Sequence, residues 1–179
     1  MMVARQKKEE NIVEYVLYMW QIEDLLRACG ADMDIVKKRI VTQYSQPEDV
    51  MEEIHQWYAS LCKMMRDEGV TEKGHIKIIS DVVAELQELH GKLLKTPNEQ
   101  VYEGLYYQAL PDIVQLRAKS GGEAMSEIET CLTGVYGFLL LMMQGKEITP
   151  ETSDAIHRIT TMLSFLASKY HANINVSDN

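Results

Sequence analysis

The chain has 179 residues, 46% of them hydrophobic and 25% charged, with a formal net charge of −9. That length and balance support one sizeable core in a single domain over residues 1–179, and exclude a disordered chain. The excess of acid repels phosphate backbones, so nucleic acid is not an expected partner.

The pattern is helical nearly end to end. Ile12, Val16, Met19, Ile22 and Leu26 recur at three- and four-residue steps, which predicts a first helix from about Arg5 to Cys29. Val13, Leu17 and Trp20 widen its apolar face, and Gly30 ends it. Asp32 or Asp34 caps a short second helix built on Met33, Val36, Ile40 and Tyr44. Ser45-Gln46-Pro47-Glu48-Asp49 starts a third, since proline is tolerated in a first turn and acids suit the dipole there. Val50, Ile54, Trp57, Leu61 and Met65 form its stripe, closed by Gly69. A fourth helix is expected from about Thr71 or Gly74 to Lys95, on Ile79, Val82, Val83, Leu86, Leu89 and Leu93.

The fifth carries Val101, Leu105, Tyr106, Ala109, Ile113 and Leu116, and Pro111 is expected to kink or break it. Ser120-Gly121-Gly122 reads as a loop. Glu123 to Gly145 reads as the most buried helix, because the run Phe138 to Met143 is apolar on all sides. Gly134 and Gly137 each cost about 1 kcal/mol there relative to alanine, which close approach by a neighbouring helix would explain. Thr149-Pro150-Glu151 caps the last helix, on Ile156, Ile159, Met162, Leu163, Leu166 and Tyr170, with a frayed tail over 171–179. The fold class is therefore all-α, a compact bundle of six or seven mostly antiparallel helices.

Cys29, Cys62 and Cys131 are odd in number and far apart, which fits a reducing compartment. The longest apolar run, Tyr136 to Met143, falls well short of the ~20 residues that span a bilayer, and no signal peptide is visible. A soluble cytoplasmic protein with no membrane partner is expected.

Three constellations bear on chemistry. Glu52-x-x-His55 and Glu72-x-x-His75 have the letter pattern of carboxylate-bridged di-metal sites. In a hairpin turning near Val70, however, the two histidines differ in height by roughly 15 Å, and bridged metals need ligands within ~4 Å. Glu85-x-x-Glu88 and Glu151-x-x-Asp154 match the acidic pairs of helical pyrophosphohydrolases, but the second pair belongs to a first turn, where acids are ordinary. None of the cysteines sits where its pKa would fall: Cys29 is at a helix C-terminus, Cys131 is among apolar residues, and Cys62 is two turns from His55. No catalytic residue, metal ligand or cofactor-binding residue is assigned. The rings of Tyr15, Tyr18, Trp20, Trp57, Tyr58, Tyr102, Tyr106 and Tyr107 suit core packing or a partner surface better than a ligand pocket.

The opening Val3-Ala4-Arg5-Gln6-Lys7-Lys8-Glu9-Glu10-Asn11-Ile12, followed by Glu14-Tyr15 and Tyr18-Met19-Trp20-Gln21-Ile22-Glu23-Asp24, resembles an uncharacterised family of about this length from Bacteroidetes-type bacteria. The resemblance implies a bacterial cytoplasmic protein and brings no activity, cofactor or catalytic residue. It singles out the first helix as the first place to look for a functional surface. The expected function is a non-enzymatic interaction module that associates with protein, itself included. The alternative, a small-ligand binder or metal-dependent enzyme, requires several of Glu14, Glu23, His55, His75, His90 and His157 to converge in one pocket.

Overall fold

The computed structural model describes residues 2–119 and 125–177, with side-chain surroundings through residue 172. Eight α-helices and one 3₁₀ turn occupy these residues, and no strand occurs among them. The expected loop Ser120-Gly121-Gly122 and the expected helix start at Glu123 lie outside the described residues.

The helix count exceeds the expected six or seven because the first expected helix is two, α1 (Met2–Glu10) and α2 (Ile12–Ala28). The break has a local cause. Asn11 Oδ1 accepts the Val13 N–H at 3.0 Å, and the Ile12 N–H donates to His171 Nε2 at 3.2 Å. Side chains thus take up amides that a continuous helix would bond to its own carbonyls. Next comes α3 (Met33–Arg39), capped by Asp32, whose carboxylate accepts from the Asp34 and Ile35 amides. A 3₁₀ turn (Val41–Gln43) leads to α4 (Glu48–Asp67), which starts after Pro47 with Glu48 and Asp49 in its first turn. The remaining helices are α5 (Lys77–Leu93), α6 (Gln100–Lys119), α7 (Glu127–Met143) and α8 (Pro150–Ser177). Where a frayed tail is expected from residue 171, α8 continues to Ser177.

The chain forms two compact units, one of Met1–Glu10 with Glu14–Asp81, the other of Asn11–Val13 with Val82–Asn179. In the first, Val16, Met19, Leu26, Val36, Ile54, Leu61 and Met65 are buried at the expected spacings. The large ring buried on α4 is Tyr58, not the expected Trp57, which is half-buried against its edge. The Tyr58 hydroxyl meets that of Tyr44 at 3.0 Å, so the polar end of the ring is satisfied.

In the second unit α6 and α8 run antiparallel. Glu99 pairs with Lys169 at 2.7 Å, Tyr102 stacks on Phe165 at 5.9 Å, and Asp112 pairs with Arg158 at 2.7 Å. Partner numbers fall along α8 as they rise along α6. Tyr102, fully buried, takes the place expected of Val101, which is 64% exposed. Of the kink or break expected at Pro111, the break does not occur: α6 is continuous, and Pro111 lies on its exposed side. The carbonyl that loses its bond belongs to Tyr107, on the same exposed side.

The largest departure concerns α7. Its first half is buried through Ile128, Cys131, Leu132 and Val135. The run expected at the centre of the bundle is not: Phe138, Leu139 and Leu140 are half-buried, and Leu141, Met142 and Met143 are 42, 56 and 73% exposed. Apolarity on all sides reports that a helix needs cover, not that its own chain supplies it. The two glycines also divide. A Cβ on Gly134 would lie 2.6 Å from Leu116 Cδ1, so close approach explains that glycine, whereas a Cβ on Gly137 meets nothing within 4 Å. Gly137→Ala is therefore expected to stabilise the fold by about 1 kcal/mol through helix propensity. Gly134→Ala is expected to gain little, because the Leu116 tip must move. Urea midpoints of the two variants check this, and equal gains would contradict it.

Candidate functional site

Of the residues raised by the enzyme reading, Glu23 and His75 meet, and among the described residues no third ligating side chain joins them. Glu72 and His75 precede α5 rather than lying on a helix, so their three-residue spacing does not align them. His75 pairs with Glu23, while Glu52 is exposed and accepts from Gln56 one turn along α4. His55 lines a shallow concavity with Glu48, Asp49, Glu52, Lys37 and Val41. The acidic pairs are equally apart. Glu85 accepts from the Tyr170 hydroxyl at 2.7 Å, and Asp154 stands sixteen residues earlier on α8, roughly 24 Å away along the helix axis. Glu88 pairs with Lys92. Among the described residues no group of three or more His, Cys, Asp or Glu side chains could hold a metal ion. Glu14 pairs with Lys7, and His157 is exposed.

The cysteines are free and buried. Burial pushes the Cys131 thiol up to about 12 and raises that of Cys62, so both stay protonated and unreactive at neutral pH.

The structure brings together two polar clusters that spacing alone does not reveal. In the first unit Glu23, 1% exposed, meets His75 Nδ1 at 2.5 Å and accepts the Ile76 N–H at 2.9 Å. Arg27 approaches the same carboxylate at 4.0 Å and donates to the Gly74 carbonyl. Trp20 stacks on the His75 ring at 4.3 Å. One carboxylate on α2 thus fixes the segment Gly74–Ile76 that leads into α5.

In the second unit His90, 2% exposed, sits between Tyr102 and Glu127. Its Nδ1 lies 2.6 Å from the Tyr102 hydroxyl and its Nε2 3.1 Å from Glu127, which also accepts from Tyr106 at 3.2 Å. Burial lowers the His90 pKa against the opposing pull of Glu127, and burial raises that of Tyr102. A neutral imidazole satisfies the set: Tyr102 donates to Nδ1, and Nε2–H donates to the carboxylate. Every partner is a side chain of the same unit, and no nucleophile with a lowered pKa stands beside it. The His90 cluster closes upon itself, as buried polar groups that specify packing do.

The concave surfaces are open and shallow. One of about 520 Å³ lies between the second half of α6 and the start of α8, with Asp112 and Arg158 already paired within it. Another, of about 340 Å³, is apolar and lined by Leu116, Met125, Gly137, Phe138 and Leu141. Beside these is a face of α6 on which Gly104, Tyr107, Gln108, Pro111, Val114, Gln115 and Ala118 are all exposed and none carries a charge.

No helix among the described residues is long and apolar enough to cross a membrane. No curated protein and no solved structure matches the chain. The sequence profile of a domain of unknown function (DUF4924) matches residues 1–176, so it spans both units and agrees with the resemblance seen in the first helix. The chain belongs to that family.

Proposed function

We propose that this protein is a non-enzymatic helical interaction module that associates with itself through its second unit. The observation that carries the reading is uncovered apolar surface without charge. From Thr130 to Gly145 the sequence has no charged residue, yet the end of α7 stands exposed, and the outer face of α6 is uncharged from Gly104 to Ala118. Large apolar side chains left exposed on uncharged helix faces suit a protein contact. A second copy suits it, because two chains of net charge −9 repel each other least where their surfaces carry no charge. The bacterial cytoplasm is the compartment we assign, supported by three free cysteines buried as small hydrophobes.

Self-association of like-charged copies has a signature. Raising salt from about 10 to 100 mM shortens the screening length from ~30 to ~10 Å, weakening repulsion while leaving apolar burial intact. Sedimentation velocity over a concentration series is expected to show a reversible monomer–dimer equilibrium whose dimer fraction rises with salt. A monomer at every concentration and salt would overturn the reading.

A further inference from the structure

We infer that the contact between copies is α6 against α6, antiparallel, about a two-fold axis at Pro111. This rests on the self-association proposed above and names its seam. At 3.6 residues per turn, Gly104, Tyr107, Gln108, Val114, Gln115 and Ala118 all fall within about 60° of Pro111 around the helix. They form an uncharged ridge ~21 Å long. Gly104, Tyr107, Pro111, Val114 and Ala118 follow the alternating three- and four-residue steps of a helix–helix seam. Among the described residues no helix of the unit covers it: Tyr107 is 60% exposed and Val114 59%. The opposite side of the same helix carries its own buried set, Tyr102, Ala109 and Ile113.

Charge selects the orientation. Beside the ridge, Glu103 stands exposed at its first end and Lys119 at its last. In a parallel pair like charges meet at both ends. In an antiparallel pair each acidic end lies level with the basic end of the other copy, and the helix dipoles oppose. Side-chain sizes then match about the axis, with Gly104 level with Ala118, Tyr107 with Gln115, and Gln108 with Val114. A small residue at each end lets the backbones close. The contact is isologous, so it closes at two copies. The end of α7, uncharged throughout, offers no comparable means of fixing a partner's direction.

Cysteine cross-linking tests the seam, with a background kept low by the burial of Cys29, Cys62 and Cys131. Pro111→Cys places two thiols at the axis, and under mild oxidation it is expected to give a disulfide dimer at least ~10-fold faster than Gly104→Cys or Ala118→Cys alone. Those two thiols stand ~21 Å from their own symmetry mates in the pair. An equal mixture of Gly104→Cys and Ala118→Cys chains is expected to cross-link between variants. Cross-linking of each alone would establish a parallel pair and overturn the inference. A wild-type dimer in sedimentation with no cross-link at any of the three positions would place the seam elsewhere and overturn it too, leaving self-association standing. A monomeric wild type would overturn both.

Discussion

Glu23→Ala is expected to lower the unfolding free energy by about 3 kcal/mol, because it removes the acceptor on which a buried corner depends. Glu23 is 1% exposed and holds both His75 and the Ile76 N–H, so alanine leaves a buried amide and an imidazole without their partner. Arg27 also loses its nearest buried carboxylate, although Asp24 still pairs with it at 2.7 Å. Glu23→Gln keeps an oxygen for the Ile76 amide and is expected to cost about half as much. Urea denaturation measures both, and the Ile76 amide reports locally: its hydrogen exchange should accelerate about 100-fold in the alanine variant. A loss below ~1 kcal/mol in Glu23→Ala would show that the cluster contributes little to the fold.

The His90 cluster predicts a pH dependence of definite sign. Its folded pKa lies below the 6.5 of a free imidazole, because burial outweighs the Glu127 carboxylate. Below 6.5 the unfolded chain binds a proton that the folded chain resists. The stabilisation is thus fully present above that value and is lost as pH falls from it toward the folded value, at no more than ~1.4 kcal/mol per pH unit. His90→Gln can donate to Glu127 and accept from Tyr102 without titrating. It should cost about 1–2 kcal/mol at pH 7.5 and lose less than wild type on acidification to pH 5.5. Urea titrations of both proteins at the two pH values decide it. Equal losses would mean that His90 is protonated in the fold as readily as outside it.

What the sequence makes legible here is local. Periodicity places Ile79, Val82, Val83, Leu86, Leu89 and Leu93 on the buried face of α5, and cap chemistry marks Asp32, Pro47 and Thr149 as helix starts. Each of those signals operates within a few residues. Asn11 shows where such signals end, because its break depends partly on His171, far along the chain. Periodicity also cannot separate a helix that its neighbours cover from one that they leave open, which is why Phe138 to Met143 reads as core and stands half open. Val101 and Tyr102 exchange roles for a related reason. Neighbouring positions on a helix point about 100° apart, and the partners that choose between them, Phe165 and His90, come from α8 and α5.

The buried clusters are invisible for the same cause. Glu23 and His75 stand far apart in sequence and meet only through the turn that brings Gly74–Ile76 back to α2. The first helix does draw attention through Trp20, Glu23 and Asp24, and two of these belong to the cluster. Their contacts hold the corner at Gly74–Ile76.

Native mass spectrometry of the untagged protein, purified without chelator, tests the central claim most directly. The account predicts a species of two chains with no added mass, alongside monomer at high dilution. A chain carrying a stoichiometric metal ion or small molecule would contradict it, and would turn attention from the α6 ridge to a binding site.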